Sequence, residues 1–172
     1  MIHSIPMPSK NILSTVLFLL LMVDSVQSAE ESTLLPSGTM RMIIPAGWKP
    51  SSDAGMCILI GPGRQAAEHP RLACTLGQGT PDAATEAMRS AYLRITDGCD
   101  ILDDDRIPVG GRIWNRLRVR FAAGPLAFGQ TAWVGQAEGQ TLIFVLSSPD
   151  EDLATHLPAA TAAIASLSPV RQ

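Results

Sequence analysis

The sequence predicts an α+β domain, with a mainly antiparallel sheet and helices packed on it. Three observations predict it. Short segments of alternating or continuous apolar residues are separated by Gly- and Pro-rich turns. Two further segments carry apolar residues at three- and four-residue spacing behind helix-start signals. The connections between extended segments are short loops and hairpins, which join antiparallel strands.

The chain opens on a different kind of segment. Lys10 is the only Lys or Arg of a short polar start, and a dense apolar run ends at Val23, before Asp24. Val26, Gln27, Ser28 and Ala29 follow, with small residues where signal peptidase cuts. Residues 1–28 therefore read as a cleavable signal peptide, cut after Ser28 or Ala29. A membrane-spanning helix needs about 20 apolar residues, and Asp24 interrupts this run too early. No Cys lies near the cut, so no lipobox is expected and no stable membrane anchor remains after cleavage. The expected location is periplasmic or secreted.

About 144 residues remain, enough for one domain with a real core. Residues 29–39 are small and polar and read as a flexible lead-in, with a single α+β domain over 40–168. The net charge of −3 gives no reason to expect nucleic acid or an acidic membrane surface as a partner.

The elements follow in order. Residues 40–44 form a strand stopped by Pro45, Ala46 and Gly47, with Trp48 after the turn. Residues 55–60 form a second strand, ended by Gly61, Pro62, Gly63 and Arg64. Residues 72–76 form a third. A helix then starts with Thr80 as cap, Pro81 in the first position and Asp82 and Glu86 at the positive end of the dipole. Its apolar stripe is Ala84, Ala87, Met88, Ala91, Tyr92 and Ile95, and Gly98 stops it. A short segment around Ile101 and Leu102 precedes the acidic run Asp103, Asp104 and Asp105, which reads as a solvated loop. After a turn at Gly110 and Gly111, residues 112–121 form a long strand, and residues 122–128, with Gly124 and Pro125, a loop. Residues 130–138 and 141–147 form two more strands around a turn at Gly139 and Gln140. The last helix begins with a capping box of Ser148 and Glu151 around Pro149, and Pro158 is expected to kink or divide it.

Two features stand out as candidate functional groups. If residues 55–60 and 72–76 pair as a hairpin, Ile60 faces Arg71 and Cys57 falls opposite Cys74. At a non-hydrogen-bonded position such a pair is close enough for a disulfide, worth about 3 kcal/mol in the chain-entropy picture. The alternative is separate buried thiols. Cys99 is expected to be buried and unpaired. The second feature is the strand 112–121, whose even positions are Arg112, Trp114, Arg116, Arg118 and Arg120. Alternation puts them on one face, where Arg forks bind carboxylates and Trp offers a stacking surface. That face suits an acidic protein or a small anionic ligand. The alternative is a solvated face paired to Asp103, Asp104, Asp105 and Glu138.

No catalytic motif is present. His69 and His156 are isolated in sequence, and no nucleophile elbow, zinc helix or Cys-x-x-Cys pair occurs. Catalytic, cofactor-binding and metal residues are therefore expected to be none. The acidic run also lacks the ligand spacing and glycine of an EF-hand loop.

Residues 40–48, Met-Arg-Met-Ile-Ile-Pro-Ala-Gly-Trp, resemble the opening strand and Pro-x-Gly-Trp turn of the PsbP-like superfamily, which includes bacterial DcrB-like envelope proteins. Residues 109–113 resemble its Gly-led central strand, and residues 139–147 its hairpin into a last strand before a terminal helix. The resemblance spans about Met40 to Leu167. It implies an α/β/α sandwich with a central antiparallel sheet. It also implies a non-enzymatic exported accessory or adaptor protein that binds another envelope or secreted protein. It carries over no catalytic residue, and it makes Trp48 a core anchor. A binder of a small anionic ligand and a small hydrolase with a site assembled in space are the other readings.

Overall fold

The computed structural model describes residues 30–53, 56–63, 69–95, 98–123 and 126–171. The segment expected to be a signal peptide, with its expected cut site, Gly55, Arg64, Gly124 and Pro125 and the side chain of Ile95 lie outside the described residues. The described residues from Glu31 onward belong to one compact unit.

Ten strands and two helices are described. They are β1 (Ser32–Leu34), β2 (Met40–Ile43), β3 (Lys49–Asp53), β4 (Met56–Ile60), β5 (Arg71–Leu76), α1 (Pro81–Ile95), β6 (Asp100–Val109), β7 (Arg112–Ala123), β8 (Leu126–Ala137), β9 (Gln140–Pro149), α2 (Asp150–Ala165) and β10 (Ser168–Pro169). Seven strands form one antiparallel sheet in the order β3-β4-β5-β9-β8-β7-β6. Strands β1, β2 and β10 form a second, small antiparallel sheet.

The helices lie on opposite faces of the large sheet, which makes an α/β/α sandwich. Strand β9, at the centre, shows why. Leu142, Phe144 and Leu146 are fully buried, whereas Ile143, Val145 and Ser147 between them are only half-buried. The fully buried face belongs to the main core, which joins Phe144 and Leu146 to Trp114, Trp133, Leu59, Leu72 and Cys74. It also joins them to Leu153, Ala160 and Ile164 of α2 and to Met40 and Met42 of β2. The small sheet thus shares a layer with α2. On the opposite face a smaller core of Leu117, Val119 and Ala132 takes Met88 and Tyr92 of α1. Trp48 is buried in the main core, as a core anchor should be.

Helix α1 starts as its sequence signals. The Ala83 amide donates to Thr80 Oγ1 and the Ala84 amide to the Thr80 carbonyl. Gly98 has φ of 76°, the left-handed conformation that ends helices. Ala87, expected in the apolar stripe, is exposed.

Several expectations are corrected. The lead-in contains β1, and Leu35 just after it is 2 % exposed in the main core. Strand β3, with the polar sequence Lys-Pro-Ser-Ser-Asp, has no apolar period; cross-strand pairing to β4 creates it. The acidic run is not a loop but part of the ten-residue edge strand β6. Long pairing with β7 overrides its poor strand propensity. The expected capping box does not form, because Ser148 is still in β9 and its hydroxyl donates to the Pro149 carbonyl. Helix α2 runs undivided through Pro158. The β8–β9 turn is Glu138 and Gly139, one residue earlier than expected, with φ of 48° and 74°.

Candidate functional site

The arginine strand lies where alternation predicted, on one face of β7. That face looks toward α2. Trp114, expected as an exposed stacking surface, is instead 0 % exposed. Its indole N–H donates to the Val109 carbonyl at 3.3 Å, and its ring meets Phe144 edge-on. Gly135 sits directly across on β8 and leaves room for that ring, since a Cβ there would come within 2.5 Å of it.

Each arginine has a partner within the chain. Arg112 donates to the Leu167 carbonyl at 3.4 Å, and Arg120 Nε lies 2.9 Å from Asp150 Oδ2 at the start of α2. Across the β6–β7 pair, Arg116 faces Asp105 and Arg118 faces Asp103. Arg116 binds Asp105 with two hydrogen bonds, and Arg118 Nη1 donates to Asp103 Oδ2 at 2.8 Å. The guanidinium of Arg116 holds the Asp105 carboxyl below its ordinary range. Asp104 points to the other face and pairs with Arg89 of α1. Thus the acidic run serves both faces of its strand, and its carboxylates are already matched by guanidinium groups.

Beside α1 is a shallow charged groove of about 240 Å³, lined by Asp82, Arg89, Arg106 and Asn115 among others. Asn115 donates to one oxygen of Asp82 and Arg106 to both, and these bonds, Asn115's first, lower the Asp82 pKa.

The cysteines sit in the expected register, with Cys57 opposite Cys74. The bond itself is not there: both are free thiols. The Gly61 amide donates to the Pro70 carbonyl opposite it, and alternation along β4 and β5 then makes Cys57 and Cys74 a hydrogen-bonded pair. Such pairs sit farther apart than the non-hydrogen-bonded pair the disulfide expectation assumed. Burial pushes both thiols up. Cys99 is half-buried beside the smaller core.

The two histidines are not brought together with a nucleophile. His69 Nδ1 is 2.7 Å from the Gly61 carbonyl, so that nitrogen carries the proton. His156 of α2 meets Trp48 edge-on in the layer of the main core, on the opposite side of the sheet from Cys99. Among the described residues, no group of three or more His, Cys, Asp or Glu side chains could hold a metal ion, and no helix is long and apolar enough to cross a membrane.

Sequence reasoning missed a larger cavity, of about 430 Å³, on the α1 face at one end of the sheet. It is lined by His69, Arg71, Phe121, Phe128, Gln130, Ser147 and Ser148. These residues come from four strands and one loop, and only the register brings them together.

The chain resembles several solved structures. It matches the cyanobacterial PsbP (CyanoP) of Synechocystis sp. PCC 6803 with a TM-score of 0.57 and 13 % identity, over 81 % of this chain and 92 % of that one. The fold is PsbP-like. LpqN, involved in cell envelope biogenesis of Mycobacterium tuberculosis, matches with a TM-score of 0.54 and 14 % identity, over 85 % of this chain and 88 % of that one. The Saccharomyces cerevisiae Ran-binding protein Mog1p matches with a TM-score of 0.52 and 10 % identity, over 80 % and 94 %. A Bacteroides thetaiotaomicron VPI-5482 protein also matches, at 15 % identity and a TM-score of 0.53, and this chain spans about half its length, 49 %. At these identities the PsbP-like likeness is one of fold. No family profile matches the sequence, and no curated protein does.

Proposed function

We propose that the chain is a non-catalytic accessory protein, exported to the periplasm or secreted, that binds another envelope or secreted protein. Export rests on the signal pattern of residues 1–28. The observation that carries binding is the half of the large sheet that α1 does not reach. Helix α1 packs on β7 and β8. On that same face, Met56, Ile58, Ile60, Ala73 and Ile143 are only half-buried. The registers of β4, β5 and β9 place them side by side. Among the described residues no helix or strand lies over them. A contiguous apolar patch of this kind is the ordinary mark of a docking surface.

The arginine face is a weaker docking surface, because its Trp is core and its arginines are engaged within the chain. A hydrolase has less support still: His69 and His156 make structural contacts and the buried thiols are harder to ionise. Membership of the bacterial DcrB-like envelope group is part of this proposal and rests on the Pro-x-Gly-Trp turn and the shared fold.

The test is affinity capture from the native envelope with wild-type protein, Ile58→Lys and the double variant Arg116→Glu/Arg118→Glu. A partner that is retained by the double variant and lost with Ile58→Lys supports the open sheet face. Equal capture by Ile58→Lys removes that face. Loss only with the double variant moves the docking surface to the β6–β7 edge.

A further inference from the structure

We infer that the 430 Å³ cavity at the end of the large sheet is a binding site for a small organic carboxylate with an aryl or branched aliphatic body. The site borders the open sheet patch at the Ile60–Arg71 pair but is lined by other side chains, and it does not depend on the docking proposal. It begins with register. Arg71 pairs with Ser147, and Ser147 pairs with Gln130, so the three side chains form one transverse row on the α1 face. One step further along the strands, Phe121 pairs with Phe128 across the β7–β8 hairpin. Their rings stack, with centroids 6.3 Å apart and planes at 20°. A polar row therefore abuts an aromatic wall.

The polar row is fixed in place and has spare donors. Tyr92 OH donates to Gln130 Oε1 at 2.5 Å, and Gln130 Nε2 donates to Ser147 Oγ at 2.8 Å. Ser147 accepts that bond, and its own proton has no acceptor among the described residues. Arg71 has no ion pair or hydrogen bond among the described residues, unlike the four arginines of β7. It is also the only Lys, Arg, Asp or Glu among the described lining residues. A guanidinium with no carboxylate partner among the described residues selects an anion, and its fork matches a carboxylate. His69 is held by the bond from its Nδ1 to the Gly61 carbonyl, and its ring forms part of the wall.

Size and polarity set the rest of the ligand. The volume is within the range of small-molecule sites, which are mostly apolar with a few placed polar groups. The stacked Phe pair offers a face to an aryl ring or a branched alkyl group. One Arg fork and one hydroxyl suit a monoanion; a phosphate dianion brings more charge and more acceptors than the row can satisfy.

The test uses thermal shift and titration calorimetry with phenylacetate, benzoate and isovalerate. Phenylacetamide and inorganic phosphate are the contrasts. A carboxylate that binds should raise the melting temperature in a saturable way. The two contrasts should leave it unchanged. Arg71→Met, at an exposed position, should keep the fold and weaken binding by about ten- to a hundred-fold, as loss of a hydrogen bond to a charged group does. Arg41→Met, at another exposed arginine, should bind as the wild type does. The inference is overturned if none of the three carboxylates binds. It is also overturned if phenylacetamide or phosphate binds equally well, or if Arg71→Met binds unchanged. Melting curves of each variant without ligand separate lost binding from lost folding.

Discussion

Arg116 clamps Asp105 across the β6–β7 pair, Nε to Oδ1 at 2.8 Å and Nη2 to Oδ2 at 2.6 Å. The pair closes an edge strand. Strand β6 ends the large sheet on one side and carries Asp103, Asp105 and Pro108, features that discourage pairing with another chain. The other edge, β3, carries Pro50 in the same role.

The clamp should be worth little in stability and should depend on pH. Both side chains are partly exposed, so a double-mutant cycle with Arg116→Met and Asp105→Asn should give a coupling of about 1 kcal/mol or less. The folded carboxyl is held below its unfolded value by Arg116. Its contribution is therefore complete above the unfolded pKa and is lost as pH falls through the folded one. Urea unfolding at about pH 7 should show the coupling, and unfolding at about pH 2 should show less of it.

Tyr92 should report on alkaline unfolding alone, because it is the chain's only tyrosine. Burial, with a smaller contribution from Cys99, pushes its phenol up to about 12. A neutral phenol is thus preferred in the fold. The stability it contributes is complete below the unfolded value of about 10 and is lost as pH rises through the folded one. Tyrosinate absorbance should titrate with a midpoint near the folded value in native protein and near about 10 in denaturant. Equal midpoints would contradict burial of the Tyr92 phenol.

The β6–β7 hairpin offers a matched pair of glycines. Gly110 and Gly111 both have positive φ, 59° and 75°. A Cβ on Gly110 would come 2.6 Å from the Ala165 carbonyl oxygen, whereas one on Gly111 meets nothing within 4 Å. Gly111→Ala should cost about 1–2 kcal/mol from backbone strain alone. Gly110→Ala should cost about 1–3 kcal/mol more, because a backbone wall cannot rotate away. Thermal melts of the two variants decide the order.

The thiols should separate by exposure. Cys57 and Cys74 are buried, with raised pKa values, and should resist alkylation in native protein. Half-buried Cys99 should react first. All three should react in denaturant without a reductant, as free thiols do. A mass consistent with one disulfide in protein isolated from its host would show that the cross-strand pair is oxidised there.

Period and punctuation made much of the fold legible. The alternation in residues 112–121 placed four arginines on one face, and the hairpin arithmetic placed Cys57 opposite Cys74, as the registers show. The cap at Thr80 was equally local. What sequence misjudged was set by neighbours. Trp114 shares a face with the arginines, yet burial differs along that face because α2 and Phe144 cover one part of it. Gly135 in the middle of β8 was the available signal, since a strand glycine marks a close approach.

By itself the sequence determined the local states: the helix start at Thr80, the Gly110–Gly111 turn and the face of each β7 side chain. These depend on steric preference and a period of two or about 3.6, which operate over a few residues. Only the tertiary structure decided which of those faces was free. It turned the acidic run into half of an ion-paired edge, left the apolar residues of β4, β5 and β9 half-buried, and brought Arg71, Ser147, Gln130 and the Phe121–Phe128 pair around one cavity. The reason is that strand pairing joins residues dozens of positions apart, and no local preference encodes which groups will meet there.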